Sequence, residues 1–345
     1  MLEARNVFKT FRPSLGIAGE IRKLFGRAPQ GGTQAVRGVS LQVFPREILG
    51  IVGESGSGKS TLGRLFSSLL LPERGEVLFE GKNLQELTKA EKLLFRRKVQ
   101  FMFQDPASSL NPRLTAGRTL AEGLVIHKIG NRASRQKRVL ELLGEVGLDP
   151  SFARRYPHQF SGGQRQRLSL ARALSLNPEI LIADEPASAL DVSVQAQIVN
   201  LLLEEQKVRG LALVIISHDL ALVSLIATRV AIMYGGLLME LIPQDLLGHI
   251  NHHPYVKALW ASAESSLAKE QNLILEGEPP DPENPPPGCP FAPRCPEAQL
   301  ICQESSPPFK EDIPGHSVAC FSRGESAPAP PEASPQPLTL GNQSR

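Results

Sequence analysis

The sequence is poor in cysteine, in net charge and in unbroken apolar stretches, and each shortage excludes a class of protein. It holds only 4 cysteines among 345 residues. That is too few for a disulfide scaffold, and all of them fall between Cys289 and Cys320, a clustering that needs its own explanation. Lys and Arg number 38 against 35 Asp and Glu, a net +3, so the charge favours no particular partner and gives no ground for nucleic acid. The most apolar stretch, Leu211 to Met233, is long enough to weigh as a membrane span, but Ser217, His218, Asp219 and Arg229 interrupt it. It reads instead as a buried strand, a polar turn, a helix and another strand. Met1 to Thr10, with Glu3, Arg5 and Lys9, lacks the apolar core of a secretory signal. A cytoplasmic protein is expected, one that meets a membrane only through partners. What remains is an ordinary globular composition, 41% apolar and 21% charged, in a length suited to one large or two smaller domains.

Proline marks the main boundary, since 17 of the 29 prolines lie from Pro279 onward, and the C-terminal part should be largely extended or looped. Before it, apolar strand-like runs alternate with helical patterns: Glu47 to Val52 then Lys59 to Leu71, and Ile180 to Ala183 then Val192 to Glu205. That alternation predicts an α/β domain with a largely parallel sheet. In the second helix Val194, Ile198, Leu201 and Leu202 share a face, and Asp191 is placed as N-cap. Leu87 to Pro157 reads as a helical insert, Arg12 to Thr33 as a basic surface loop, and Ala327 to Arg345 as a disordered tail.

Gly53-Glu54-Ser55-Gly56-Ser57-Gly58-Lys59-Ser60-Thr61 fits G-x-x-x-x-G-K-[ST] directly after the strand Ile48 to Val52 and before a helix. Glycines let the backbone curl so that N–H groups face phosphate oxygens, and the helix dipole behind them favours negative charge. Lys59 adds a formal positive charge, and Ser60 is placed to coordinate Mg²⁺. A chance glycine-rich turn is the plain alternative, and the flanking strand and helix count against it. Such a site also needs an apolar strand ending in carboxylates, one for the Mg²⁺ shell and one to accept a proton from water. Ile180-Leu181-Ile182-Ala183-Asp184-Glu185 supplies Asp184 for the first role and Glu185 for the second.

Between these elements stands Phe160-Ser161-Gly162-Gly163-Gln164, and here the chain resembles the ABC transporter ATPase family, whose signature reads LSGGQ. Further matches follow in the family's order: Gln104 in Phe103-Gln104-Asp105 resembles the Q-loop, Ser188-Ala189-Leu190-Asp191 the D-loop and Ser217-His218-Asp219 the H-loop. The resemblance covers about residues 1 to 260. It implies a RecA-like P-loop core, an antiparallel β subdomain and a helical subdomain, with ATP and Mg²⁺ as ligands. It also implies an aromatic near the start that stacks on adenine, for which Phe11 is the choice and Phe8 the reserve. Phe160 replaces the family's leucine and keeps an apolar side chain.

In this family two subunits pack head to tail, each nucleotide lying between one P-loop and the other subunit's signature. Ser161, Gly162 and Gly163 open a helix whose N–H groups would then face the γ-phosphate. The resemblance gives His218 a γ-phosphate contact, Gln104 a role in sensing Mg²⁺ and water and relaying to the membrane partner, and Gln164 and Asp191 places at the nucleotide interface. Every position is compatible with hydrolysis, so an active ATPase is expected.

His253-Pro254-Tyr255, Lys257-Ala258-Leu259 and Gly288-Cys289-Pro290-Phe291-Ala292-Pro293-Arg294-Cys295-Pro296, with Cys302 and Cys320 beyond, resemble the C-terminal extension of oligopeptide and dipeptide importers, the peptide and nickel group. This second resemblance covers about residues 250 to 322. The basic loop and Leu275-Glu276-Gly277-Glu278 look more like the second of the two ATPase subunits such systems carry. The expected boundaries are therefore an ATPase domain at 1–250 with its helical part at 87–157, a loop-rich extension at 251–322 and a tail at 323–345.

A reducing compartment argues against disulfides at Cys289, Cys295, Cys302 and Cys320, and their spacing lacks the C-x-x-C pairs of zinc fingers. The resemblance implies a four-iron four-sulfur cluster on these four thiols. Zinc, with His316 nearby, and buried thiols without metal stay open beside it. The expected function is the energy-coupling ATPase of a peptide importer at the cytoplasmic face of the membrane. Its partners would be integral permease subunits, a second ATPase subunit (self or paralogue) and, indirectly, an extracytoplasmic solute-binding protein. The rival is a soluble ABC ATPase of DNA repair or translation, but neither a long coiled-coil insert nor a second nucleotide domain is present. Nickel or another small solute stays open as cargo.

Overall fold

The computed structural model describes residues 1–12, 32–188, 191–250, 252–263 and 277–323. Most of the expected basic loop, Ala189 and Leu190 of the D-loop, Leu275 and Glu276, and the expected tail from 324 lie outside the described residues. Two sheets organise the chain. Strands β1 (Leu2–Phe11), β2 (Thr33–Val43), β4 (Arg74–Phe79) and β5 (Lys82–Asn83) form an antiparallel sheet in the order β2-β1-β4-β5. The larger sheet runs in the order β11 (Lys310–Ile313), β12 (His316–Val318), β10 (Leu237–Pro243), β9 (Arg229–Tyr234), β3 (Ile48–Val52), β8 (Ala212–Ser217), β7 (Ile180–Asp184), β6 (Val99–Met102). Its parallel part consists of β3, β6, β7, β8 and β9.

These strands are near-continuous apolar runs because helices or the second sheet cover both faces. The alternation is visible in the core: Ile51, Ile182, Val214 and Ala231 pack toward the antiparallel sheet and the helix Lys59–Phe66. Val52, Leu181, Ile215 and Val230 pack toward the opposite layer with Leu168, Leu170 and Leu174 of the helix Gly162–Leu174. Each Val, Leu or Ile among them contributes about 1.5–3 kcal/mol on burial. The stretch from Leu211 folds as expected, with β8, the helix Leu220–Ile226 and β9 in succession. Among the described residues no helix is long and apolar enough to cross a membrane.

The expected helical insert is corrected at its start. Val99–Met102 is a strand, β6, paired in parallel with β7 through Val99↔Ile180 and Met102↔Ala183. It is only 4 residues long and follows Arg96, Arg97 and Lys98 at the end of the helix Lys89–Lys98, so a helical, basic context masks it. The insert proper carries the helices Ala116–Ile126 and Arg132–Glu145, opened by Thr115 and Asn131 caps.

Beyond β9 the chain turns into β10 (Leu237–Pro243) and the helix Pro254–Ala263. The Pro-rich segment then returns to the sheet: β11 (Lys310–Ile313) and β12 (His316–Val318) extend it, with β12 on β10 through Glu240↔Val318 and Leu241↔Ser317. Cys289, Phe291 and Cys302 belong to the same apolar cluster as Tyr234 and Tyr255, so this segment shares the core of the sheet.

Candidate active site

Parallel pairing sets Val52 of β3 beside Ser217 of β8, and Asp184 of β7 beside Ile216. The C-terminal ends of neighbouring strands therefore lie in one row, where ligands bind in open α/β sheets. The P-loop leaves β3 there, Asp184-Glu185 end β7, Ser217-His218 end β8, and Gln104 follows β6.

The glycine-rich loop is shaped by its backbone. Gly58 stands at φ 100 as the N-cap of the helix Lys59–Phe66, and a Cβ on it would meet the Ala35 carbonyl oxygen at 2.1 Å. Lys59 is buried, and its Nζ donates to the carbonyls of Gly53 and Glu54, each at 2.7 Å, and to Ser57 Oγ at 3.4 Å. Burial lowers its pKa, opposed by the carboxylates of Glu185, Asp184 and Glu54. The Glu54 amide is spent within the protein, donating to Tyr255 Oη at 2.9 Å.

Ser60 Oγ donates to Asp184 Oδ1 at 2.7 Å. Asp184 is 1% exposed, its Oδ2 has no hydrogen-bond partner among the described residues, and burial raises its pKa. A buried carboxylate oxygen without a partner, beside a serine hydroxyl, is a donor pair suited to a hard cation that keeps much of its own water. These residues fit Mg²⁺.

Glu185 is bonded by one polar neighbour and approached by another. Gln104 Nε2 donates to its Oε2 at 2.7 Å, and His218 Nδ1 lies 3.5 Å from its Oε1. Its backbone is left-handed at φ 43, a conformation that costs a non-glycine residue about 1–3 kcal/mol, and its amide donates to the Ile216 carbonyl at 2.9 Å. The structure thus brings together Lys59, Ser60, Gln104, Asp184, Glu185 and His218, as their motifs led us to expect.

The signature residues make local bonds instead. Ser161 caps the helix Gly162–Leu174: its Oγ accepts from the Gln164 amide at 3.3 Å, and Gln164 Oε1 accepts from the Ser161 amide at 3.0 Å. The Gln164 side chain is committed to this cap, while Gly162 borders a small cavity shared with Gln104 and Glu185. Phe160 is buried edge-on against Phe152, with centroids 5.7 Å apart, so the change from leucine is absorbed by an aromatic pair. Asp191 is at the N-cap position of the helix Val192–Arg209 but makes no side-chain capping bond. At the end of β1, Phe11 is exposed, with Lys9 Nζ 6.0 Å from its ring, whereas Arg74 covers the Phe8 ring at 4.1 Å. Of the two aromatics, Phe11 has the more accessible face.

The four cysteines form no disulfide with one another. Burial raises Cys289 to about 11 and also raises Cys295 and Cys320, with Cys302 adding electrostatically in each case. The Cys289 amide donates to the Cys302 carbonyl at 2.8 Å. Among the described residues no three His, Cys, Asp or Glu side chains gather closely enough for one metal ion. The zinc reading with His316 is corrected: that ring spans Asp312 and Glu240, so both its nitrogens are engaged. Sequence reasoning missed this buried polar cluster, in which Glu240 also accepts from the His253 amide at 2.8 Å and pairs with His252 Nδ1 at 2.7 Å.

Comparison with known proteins agrees with this geometry. Residues 36–188 match the ABC transporter family. The dimeric ATP-binding cassette MJ0796 bound to ADP and Pi is 32% identical, with a TM-score of 0.61 over 71% of this chain and 99% of that one. CbiO1 of Clostridium perfringens, part of an ABC transporter complex, is 25% identical, with a TM-score of 0.59 over 79% and 95%. The chain is an ABC-type P-loop ATPase. Residues 239–302 match the C-terminal region of oligopeptide/dipeptide transporters. The oligopeptide transport ATP-binding protein AppF of Bacillus subtilis is 47% identical over 326 residues, 93% of this chain and 96% of that protein. The chain belongs to the family of ATP-binding subunits of oligopeptide/dipeptide ABC transporters.

Proposed function

We propose that this chain is the ATP-hydrolysing, energy-coupling subunit of an importer of di- and oligopeptides. The observation that carries the reading is the row of Lys59, Ser60, Asp184, Glu185, His218 and Gln104 along the ends of adjacent parallel strands. In this reading the backbone from Gly53 through Ser55, Gly56, Ser57 and Gly58 to Thr61 cradles the phosphates, and Lys59 exchanges its carbonyl partners for phosphate oxygens. Phe11 stacks on adenine. Ser60 and Asp184, with Gln104, would hold Mg²⁺, which would supply charge neutralisation for the triphosphate. Glu185 accepts the proton of the attacking water while Gln104 holds one of its oxygens, and His218 contacts the γ-phosphate. A second subunit brings Ser161, Gly162 and Gly163 to the far side of the γ-phosphate, with Gln164 stiffening that helix end and Asp191 at the seam. Loss of the bridging phosphate lets the pair separate, which turns a chemical state into a mechanical one.

The partners in this reading are integral permease subunits, a second ATPase chain and, through the permease, a solute-binding protein, with the chain at the cytoplasmic face of the membrane. The kinship with an oligopeptide transport protein favours this over a soluble ATPase of DNA repair or translation. For the four cysteines we keep the four-iron four-sulfur cluster. Four thiolates are the ligand set that such a cluster would need. Burial that raises the thiols also argues against a reactive thiolate sensor. Anaerobic purification should yield brown protein with iron and sulfide, and colourless protein lacking both overturns the cluster. Solubilised membranes should yield the chain together with permease subunits and ATP-dependent peptide uptake in vesicles. A chain recovered without any integral partner overturns the transport reading.

A further inference from the structure

The Cys-bearing segment reaches the phosphate loop directly. Arg294, one residue before Cys295, sends Nη1 to both oxygens of Glu54 at 2.9 and 3.1 Å and to Tyr234 Oη at 2.9 Å. Glu54 is the second residue of the P-loop, 240 positions away in sequence. The pair is shielded from water, the Arg294 side chain being 7% and the Glu54 side chain 21% exposed. Beneath it, Tyr234, Tyr255 and Phe291 pack ring on ring at 4.6 to 5.5 Å, and Tyr255 Oη takes the Glu54 amide. Side chain and backbone of this one loop residue are both fixed from the C-terminal segment.

A carboxylate in a loop built to hold a polyanion opposes its own ligand, and partial burial weakens the screening that would hide the charge. A guanidinium bonded to both carboxylate oxygens cancels that charge in a fixed geometry. We propose that Arg294 is a positioning residue for ATP, neutralising Glu54 and anchoring the P-loop so that the loop accepts the triphosphate. The proposal rests on the ATP-site reading and extends the nucleotide site to a segment outside the ATPase motifs.

The test is steady-state ATP hydrolysis by the full-length protein in its complex, with KM and kcat measured separately. Arg294→Gln should raise KM for ATP about tenfold with kcat within about twofold, because the lost charge pairing affects binding before chemistry. Arg294→Lys keeps the positive charge and should stay within about threefold of the wild-type KM. The decisive variant is Arg294→Gln with Glu54→Gln, which removes both charges and should bring KM back to within about threefold of wild type. A merely structural arginine would show no such recovery. An unchanged KM in Arg294→Gln, or a double variant as poor as the single one, overturns the proposal. If Arg294→Gln fails to fold, the Lys and double variants decide it. Lys59→Ala separates this from the underlying reading: if that variant keeps its ATP affinity, the site assignment itself falls.

Discussion

Glu240→Gln perturbs a full charge that is 0% exposed and lies where β10 receives β12. Its Oε1 faces His252 Nδ1 and His316 Nε2, and its Oε2 accepts the His253 amide. A glutamine keeps one acceptor oxygen and puts an NH₂ where the other stood, so a donor faces a donor whichever way the amide turns. The ion pair with His316 is lost as well. Breaking a buried pair by removing one charge costs about 3–5 kcal/mol, a large fraction of the 5–15 kcal/mol typical of a domain. At about 2 °C per kcal/mol for a chain of this size, the melting temperature should fall by roughly 6–10 °C.

The pH dependence carries the same signature. Burial pushes the Glu240 carboxyl up, but hydrogen bonds from His252 and His316 outweigh it and hold it at about 2, against an ordinary 4.5. A lowered carboxyl pKa gives stability that is complete above about 4.5 and fades as pH falls toward 2. For His316 burial pushes down, while Glu240 and Asp312 push harder the other way, so its pKa lies above the ordinary 6.5. That contribution is complete below about 6.5 and is lost as pH rises through the raised value. The gap between wild type and Glu240→Gln should therefore be widest between about pH 4.5 and 6.5. His253, lowered to about 4 by burial, works against stability below its ordinary 6.5, but it is present in both proteins and largely cancels. Thermal and urea unfolding across pH 4 to 8 measure this, and a variant melting within 1 °C of wild type at pH 6 refutes the buried ion-pair reasoning.

Three further substitutions probe the site. Gly58→Ala drives a Cβ to 2.1 Å from the Ala35 carbonyl oxygen at φ 100, and ATP affinity should drop more than tenfold. Gly56→Ala has a positive φ of 78 but meets nothing within 4 Å, so it should cost only about 1 kcal/mol of backbone strain; equal effects at the two positions would refute the steric account. Ser161→Ala removes the acceptor for the Gln164 amide and should cost about 1 kcal/mol in urea unfolding, while an unchanged midpoint would show the cap to be idle.

The parts of the fold set by local chemistry were legible in the sequence. The P-loop, the strand ending in Asp184 and Glu185, and the run from Leu211 to Met233 each couple an apolar period to a turn or a carboxylate. What escaped were long-range pairings with little local signal. β6 is a short strand trailing a basic helix, and nothing near it announces that β7 will pair with it. The bond from Arg294 to Glu54 spans 240 positions, and Glu240 reads locally as one acid in an apolar strand, its histidines arriving from His252 and from β12. Gln164 belongs to a motif that implies a nucleotide contact, yet its side chain closes a helix cap with Ser161.

The central claim is that Glu185 takes the proton of the attacking water at a triphosphate clamped between two ATPase chains. Glu185→Gln, purified with its partner ATPase chain or a second copy and loaded with Mg²⁺ and ATP, tests it in one sizing and turnover measurement. ATP should stay bound and unhydrolysed, and two ATPase chains should elute together and separate when the nucleotide is removed. Turnover at the wild-type rate, or ATP held by a single chain with no pairing, would contradict it.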